Sequence, residues 1–221
     1  LNALIGAFTT IYSGFLMQNF NALYHDRNKI LLDTFRVNLN QQFGAVKNLY
    51  FINYASYKLA SLEQLTQYYN KPQLVKKYFT DKPILYNNLE YMDFFNSFYS
   101  KYITVTSLIL HKVDYSPILK GADSYTALMK VLATDSLLKN EQLRELVLLK
   151  AMMELHNTPA YNQDDVLTVI NSAKEKTKYS ENRVVAEDMI SFLTKLNPGT
   201  WAPEFTLVNR EQKPLSLKSL R

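Results

Sequence analysis

The sequence contains no cysteine, only 5 glycines and a single tryptophan among its 221 residues. Without cysteine the chain has no disulfide, no thiolate ligand for a metal ion and no thiol nucleophile. Tight β-turns and phosphate-binding loops depend on glycine, so its scarcity disfavours all-β and dinucleotide-binding folds and favours helix. Because 47% of the residues are hydrophobic and 20% are charged, the chain is expected to bury a sizeable core.

Positive and negative charges are also nearly balanced. The 25 basic and 20 acidic residues give a formal net charge of +5, and acids are interleaved with bases, as in Lys174-Glu175-Lys176. A protein that follows a phosphate backbone presents a basic run or an arginine-rich stripe. The sequence has neither, so nucleic acid is not expected as a partner.

The first 24 residues carry no full charge, which raises the question of a membrane helix. A spanning helix needs about 20 mainly apolar residues, and a signal peptide needs a basic amino-terminal region. The segment meets neither condition, so we predict an amphipathic helix that does not span a membrane. Any targeting signal is expected upstream, because the chain does not begin with methionine. The polar residues that interrupt the segment are Asn2, Thr9, Thr10, Ser13, Gln18, Asn19 and Asn21.

Apolar residues recur at intervals of three and four through most of the chain, which is the spacing of one helix face. Polar residues that favour helix starts precede several of these stretches, and we predict caps at Asn70, Ser124, Asn140 and Asn162. Segment 113–123 contains proline and glycine and is predicted to be a connection.

For three of the predicted helices the sequence also indicates which residues are buried. The stretch 141–156 is apolar almost all round and is therefore predicted to lie in the middle of the fold. The helix at about 47–69 and the last helix, at about 180–196, are each predicted to bury one face. The residues predicted to face inward are Phe51, Ile52, Ala55, Leu59 and Leu62 in the former and Val185, Met189, Leu193 and Leu196 in the latter.

Residues 1–197 are therefore predicted to form an all-α domain of eight to nine helices. Helix lengths vary and no fixed period repeats, so an irregular multi-helix bundle and a loose α-solenoid of helical hairpins both fit. Residues 198–221 are predicted to form a second unit that begins with a short β-hairpin.

Aromatic residues are abundant, with 16 tyrosines and 12 phenylalanines, and they concentrate in a predicted helix at 88–103. Two interpretations stay open: the rings pack helices together, or they form a groove in which a peptide or glycan stacks. Tyr91 and Phe94 are expected to fall partly off the buried face, which would favour the groove. The candidate surface consists of Tyr91, Phe94, Phe95, Phe98, Tyr99 and Tyr102.

Residues suited to catalysis or metal binding are sparse. The histidines, His25, His111 and His156, lie far apart and form no pair at helical spacing. No glycine-rich phosphate loop and no Gly-x-Ser-x-Gly setting for a nucleophile is present. The sequence therefore predicts no catalytic, cofactor-binding or metal-binding residue in this chain.

The character of the sequence changes after residue 197. Residues 199–207 alternate apolar and polar side chains as a strand does, 209–213 are a polar turn, and 214–217 predict a returning strand. Two short strands alone are marginally stable in water. The segment is therefore expected to be the front of a larger sheet.

The pattern Gly199, Ala202-Pro203, Phe205 and Leu207, followed by Leu215-Ser216-Leu217, resembles the opening segment of a thioredoxin-like domain. The similarity is to the TlpA-like envelope thiol–disulfide reductases and to the peroxiredoxin-like (thiol-specific antioxidant) group, including multi-domain members from Bacteroidetes-type bacteria. The turn departs from the family in having no glycine.

The resemblance implies that residues 198–221 are the opening β-hairpin of a truncated thioredoxin-like domain. It further implies that a buried strand and a Trp-Cys-x-x-Cys motif follow, and that the parent protein lies in the periplasm or is an outer-membrane lipoprotein. Trp201 is expected at the contact between the helical region and this domain.

Three functional hypotheses follow. In the first, the chain is the non-catalytic helical domain of a cell-envelope thiol–disulfide oxidoreductase and serves recognition, positioning or dimerisation next to the thioredoxin-like domain. In the second, it is a stand-alone module that binds a peptide, a glycan or a protein. In the third, it forms a homodimer through its helices. No cofactor is expected in any of them.

Overall fold

The structure, a computed structural model, describes residues 1–106, 114–121, 123–200 and 204–220. Within those ranges it consists of ten α-helices and one two-stranded hairpin, which confirms the predicted all-α class with a short β-hairpin. The helices are α1 (Asn2–Tyr24), α2 (Lys29–Phe43), α3 (Leu49–Leu65), α4 (Lys71–Tyr78), α5 (Leu89–Phe98), α6 (Ser116–Leu119), α7 (Ser124–Leu132), α8 (Glu141–His156), α9 (Gln163–Lys176) and α10 (Ser180–Thr194). A π-helical turn spans Tyr102–Thr106, a 3-10 helix Ser136–Leu138, and the strands are β1 (Thr206–Val208) and β2 (Pro214–Ser216).

Asparagine side chains start six of the α-helices by accepting a backbone N–H of the first turn, at Asn28, Asn48, Asn70, Asn88, Asn140 and Asn162. Such a cap contributes about 1 kcal/mol, because it satisfies a donor that the helix leaves unpaired. At Asn70 the cap is reciprocal, since Gln73 also accepts the Asn70 N–H. The predicted cap at Ser124 is wrong: Asp123 precedes α7, and Ser124 is its first residue.

Helix α3 contributes buried residues to two separate hydrophobic cores. Phe51, Tyr54 and Leu62 face a smaller core built with α1 and α2. Tyr57 and Ala60, on another side of the same helix, belong to a larger core built from α4 to α10. Two buried faces on one helix explain why its apolar residues do not follow a single stripe.

Helix α8 lies in the middle of the larger core, as its composition predicts. Nine of its residues are buried, and it packs against α7, α9, α10 and the π-helical turn. A helix that is apolar almost all round is stable only where neighbours cover every side of it.

Other predictions about burial are wrong. Ile52 is 44% exposed, because it lines an open groove between α2 and α3. Leu196 is 79% exposed, because α10 ends at Thr194 and Leu196 no longer lies on a helix face.

Two predicted boundaries also differ from the structure. The predicted helix at 88–103 ends at Phe98, and the predicted connection at 113–123 contains the short helix α6.

The hairpin is antiparallel, with Leu207 opposite Leu215. Its large apolar side chains, Phe205, Leu207, Val208, Leu215 and Leu220, are between 39% and 64% exposed. No face of the described hairpin is therefore buried as a sheet face in a core normally is. The division of the chain at residue 197 stays a prediction.

Candidate functional site

An open groove lies between α2 and α3. Helix α1 packs against both of them, whereas α2 and α3 hardly pack against each other. The loop at 44–48, which joins α2 to α3, lines one end of the groove. The groove has a volume of about 510 Å³, comparable with small ligand sites. Its residues are Phe8, Arg36, Leu39, Asn40, Phe43, Gly44, Val46, Lys47, Phe51, Ile52, Ala55, Ser56 and Leu59.

The end of the groove at 44–48 depends on a close backbone approach at Gly44. A Cβ atom there would lie 2.4 Å from the carbonyl oxygen of Asn40, so any larger residue must displace the chain. The φ angle of Gly44 is −63°, which any residue adopts, so the need for glycine comes from this contact. Helix α2 ends just before it, at Phe43.

The groove is apolar and carries positive charge. Arg36 and Lys47 are its charged residues, and none of the described residues that line it is acidic. The Arg36 guanidinium is already engaged: it pairs with Asp33 at 2.7 Å and with Glu63, and it lies 4.6 Å from the ring centre of Tyr68. Lys47 forms no ion pair within the described part of the chain, so its charge is free to meet an anionic ligand.

The buried carboxylate of Glu63 connects three helices next to the groove. Glu63 is 1% exposed and bridges Arg36 of α2 to Lys77 of α4, whose Nζ lies 2.7 Å from Glu63 Oε1. Burial acts to lower the pKa of Arg36, but the neighbouring Glu63 and Asp33 carboxylates raise it overall. Arg36 therefore stays charged and holds α2 against α3 at the open end of the groove.

The aromatic cluster predicted as a ligand surface lies in the larger core. Tyr91, Phe94, Phe95, Phe98, Tyr99 and Tyr102 are each at most 3% exposed. Phe94 stacks on Phe79 with ring centres 5.4 Å apart, and Tyr91 meets Tyr57 edge-on at 4.8 Å. The expectation that Tyr91 and Phe94 fall off the buried face is wrong, because α3 and α4 cover α5 from additional sides. Packing between helices is the role that this geometry gives the cluster.

A second buried carboxylate, which was not predicted from the sequence, accepts hydrogen bonds from several helices in the larger core. Glu145 is 2% exposed and accepts hydrogen bonds from Tyr125, from Thr177 Oγ1 at 2.6 Å and from Asn182 Nδ2 at 2.7 Å. Asn182 in turn accepts a hydrogen bond from Tyr86 at 2.5 Å. The signal was available, because Glu145 stands next to the apolar run Leu146-Val147-Leu148-Leu149 of a helix that is predicted to be central.

The described residues bring the sparse candidate side chains nowhere together. His25 is exposed, His156 is the last residue of α8, and His111 lies outside the described residues. Across the described ranges no three His, Asp or Glu side chains are grouped so that they could hold a metal ion. Nor does any helix in those ranges have the length and apolar character needed to cross a membrane.

The residues of the thioredoxin-like pattern are described only in part. Gly199 has a φ angle of +88°, a conformation that glycine adopts without strain. Phe205 and Leu207 lie on the hairpin and are 51% and 63% exposed. Trp201, Ala202 and Pro203 lie outside the described residues, so the predicted contact of Trp201 stays a prediction.

Taken together, the groove offers non-covalent binding, and the buried carboxylates offer structural support. The apolar lining would accept alkyl or aromatic groups, and Lys47 would favour a ligand with negative charge. Comparison of the chain with protein-family models, with curated proteins and with solved structures finds no match in any of the three.

Proposed function

We propose that this chain is the non-catalytic helical part of a cell-envelope thiol–disulfide oxidoreductase, in which it recognises or positions a partner for a thioredoxin-like domain. The observation that carries the proposal is the hairpin of residues 204–220. It has the register of an antiparallel pair, yet its apolar side chains are exposed. An isolated hairpin of this kind is marginally stable, so a further sheet is expected to cover it.

The chemistry would then be divided between two parts of the protein. The helical part has no cysteine and so cannot itself exchange thiols. A thioredoxin-like part would supply a Cys-x-x-Cys pair whose first thiolate attacks a substrate disulfide. The helical part would contribute binding energy and orientation through its surface.

The test is a reading of the coding sequence beyond the codon for Arg221, together with an insulin-reduction assay. We expect a buried strand and a Trp-Cys-x-x-Cys motif within about 25 residues. We expect the present chain alone to leave insulin disulfides intact. A coding sequence without a cysteine pair, or insulin reduction by this chain, would contradict the proposal.

A second candidate function is a stand-alone binding module, and the groove between α2 and α3 favours it. Its apolar lining, the absence of acids among the described lining residues and the unpaired Lys47 fit one class of ligand. That ligand is a peptide segment with apolar side chains and an acidic residue, laid along the groove as in helix-in-groove recognition.

The groove can be probed with 8-anilinonaphthalene-1-sulfonate, a dye that is both apolar and anionic. Ile52→Asp places a negative charge on the wall of the groove and is expected to weaken dye affinity by about tenfold, or 1.4 kcal/mol. Lys47→Glu is expected to weaken it by about threefold, since an exposed charge contributes less than about 1 kcal/mol. Fluorescence titration measures both.

Val37→Asp is the matched control. Val37 is 57% exposed and lies on α2 but not among the residues that line the groove. Dye affinity is expected to be unchanged in this variant. If Ile52→Asp and Val37→Asp reduced the affinity equally, the groove would not be the binding site.

A further inference from the structure

Helix α1 presents a long uncharged face to solvent. No Asp, Glu, Lys or Arg occurs before Asp26, although charged residues make up 20% of the whole chain. Met17 is 79% exposed, Phe20 45% and Tyr24 51%. An exposed apolar face without charge is unusual on a surface that meets only water.

The residues along the middle of this face follow a coiled-coil spacing. They recur at alternating intervals of four and three, which is the heptad repeat of a helix that packs along a second helix. Each is exposed except Gly14, which is half-buried. We call this set the α1 seam; it consists of Ala3, Ala7, Thr10, Gly14, Met17, Asn21 and Tyr24.

Two glycines inside α1 are not required by any described part of the chain. No described atom lies within 4 Å of where a Cβ of Gly6 or Gly14 would be. A glycine inside a helix costs about 1 kcal/mol relative to alanine, and no described neighbour needs the space. Glycine at an exposed helix face allows a second helix to approach closely.

The side chains of the α1 seam are graded in size from one end to the other. The amino-terminal half carries alanine and threonine, and the carboxyl-terminal half carries methionine, asparagine and tyrosine. If two such seams run antiparallel about Gly14, small residues of one face large residues of the other. The opposed pairs are then Ala3 with Tyr24, Ala7 with Asn21, Thr10 with Met17, and Gly14 with itself.

We propose that the α1 seam is a homodimer interface, in which α1 of one copy packs antiparallel against α1 of a second copy around a twofold axis at Gly14. A twofold contact uses the same patch on both copies, so the patch must be complementary to itself. The gradient of size meets that requirement in the antiparallel arrangement. A parallel pair would instead oppose tyrosine with tyrosine and alanine with alanine.

The absence of charge serves the same arrangement. A charged residue on a self-paired face can meet its own copy or lose its water, and either event costs free energy. The α1 seam has no such residue. A single pair of helices buries less than the roughly 800 Å² per partner of a standard interface, so we expect association in the micromolar range.

The first test is sedimentation equilibrium of the whole chain from about 5 to about 200 µM, a range that brackets micromolar association. We expect the average mass to rise from that of a monomer toward that of a dimer. Gly14→Glu opposes two like charges at the axis and is expected to weaken association at least about tenfold. The same change improves helix propensity, so the monomer should unfold at equal or higher urea concentration. Gly14→Ala adds a methyl group without charge, so it is expected to weaken association less than Gly14→Glu does.

The second test determines the direction of pairing and uses the absence of native cysteine. Disulfide formation needs Cα atoms within about 7 Å. Under mild oxidation Gly14→Cys should cross-link to itself, and a mixture of Thr10→Cys with Met17→Cys should cross-link between the two. Met17→Cys alone should not, since its two copies would be about 9 Å apart along the axis.

Three results would overturn the proposal. A chain that stays monomeric at about 200 µM has no such interface at reachable concentration. Self-cross-linking of Met17→Cys as fast as that of Gly14→Cys would indicate parallel pairing. Binding of the monomer to phosphatidylcholine vesicles, abolished by Met17→Glu, would assign the face to a lipid surface. The functional proposals above stand or fall independently of these measurements.

Discussion

Between about pH 10 and pH 11.5 the protein is expected to unfold cooperatively. Burial raises the pKa of seven core tyrosines above the ordinary value of 10.0, that of Tyr57 to about 12 and the others further. The other six of these buried tyrosines are Tyr12, Tyr78, Tyr91, Tyr99, Tyr102 and Tyr125. Burial also raises the pKa of the half-buried Tyr86, to about 12. In the unfolded chain the same hydroxyls ionise near pH 10.

The direction of the effect follows from proton binding. Above pH 10 the unfolded chain releases tyrosine protons that the folded chain retains, so rising pH favours unfolding. The stability that these groups contribute is complete below pH 10 and is lost progressively toward the raised pKa values. At pH 11, one unit above the unfolded value, each group disfavours folding by about 1 kcal/mol, and the seven together by several kcal/mol. A domain has a free energy of unfolding of only about 5–15 kcal/mol.

Absorbance at 295 nm, which reports tyrosinate, and circular dichroism at 222 nm check this prediction. We expect one shared, steep transition in both signals. Tyr99→Phe removes a buried hydroxyl that has no hydrogen-bond partner among the described residues, and should move the midpoint upward by about 0.15 pH unit. Tyr24→Phe, at a side chain that is 51% exposed, should leave it in place. Gradual ionisation with helix retained to pH 12 would contradict the prediction.

What the sequence predicts well is what depends on near neighbours in the chain. Asn70, Asn140 and Asn162 cap helices because a side chain reaches a backbone N–H two or three residues ahead. Helix α8 lies in the core because its nine buried residues, all apolar except Glu145, point to several sides of the helix. The two-stranded hairpin follows from alternation over a few residues.

What the sequence does not predict depends on how helices are arranged around each other. Ile52 lies on the apolar stripe of α3, but it is exposed because it lines the groove between α2 and α3. Phe94 lies off the predicted stripe of α5, but it is buried because Phe79 and Tyr78 of the α4 region cover it. A repeat of 3.6 residues in the apolar pattern indicates one helix with one buried face. It does not indicate how many other helices pack around that helix.

The environment of the buried acidic residues is also difficult to predict from the sequence. Glu63 and Glu145 stand within apolar helical stretches, where a carboxylate is expected only if partners satisfy it. The partners of Glu145 come from α7, from the end of α9 and from α10. They are therefore distant in the sequence, and only the folded arrangement shows that this carboxylate joins three helices to α8.

Replacing Glu145 with alanine is expected to lower the free energy of unfolding by about 3–6 kcal/mol. The change removes one acceptor from each of Tyr125, Thr177 and Asn182. Asn182 keeps a bond to the carbonyl oxygen of Gln142, and Thr177 keeps only a long contact of 3.5 Å with the carbonyl oxygen of Tyr179. Each buried donor left without its bond costs about 1–3 kcal/mol. Because a domain holds only about 5–15 kcal/mol in total, the variant should be close to unfolding at 25 °C. Urea denaturation followed by circular dichroism measures the loss.

Two variants separate the lost hydrogen bonds from the lost side chain. Glu145→Gln keeps the volume and one acceptor oxygen but turns the other oxygen into a donor, and should cost about half as much as Glu145→Ala. Glu141→Ala, one turn earlier on α8, breaks an ion pair with Lys178 whose side chains are 46% and 64% exposed, and should cost less than about 1 kcal/mol. Equal losses for Glu145→Ala and Glu141→Ala would show that the buried network does not hold the helices together. A loss for Glu145→Gln as large as that for Glu145→Ala would mean that the carboxylate is needed with both oxygens as acceptors, because Thr177 and Asn182 share Oε2 while Tyr125 takes Oε1.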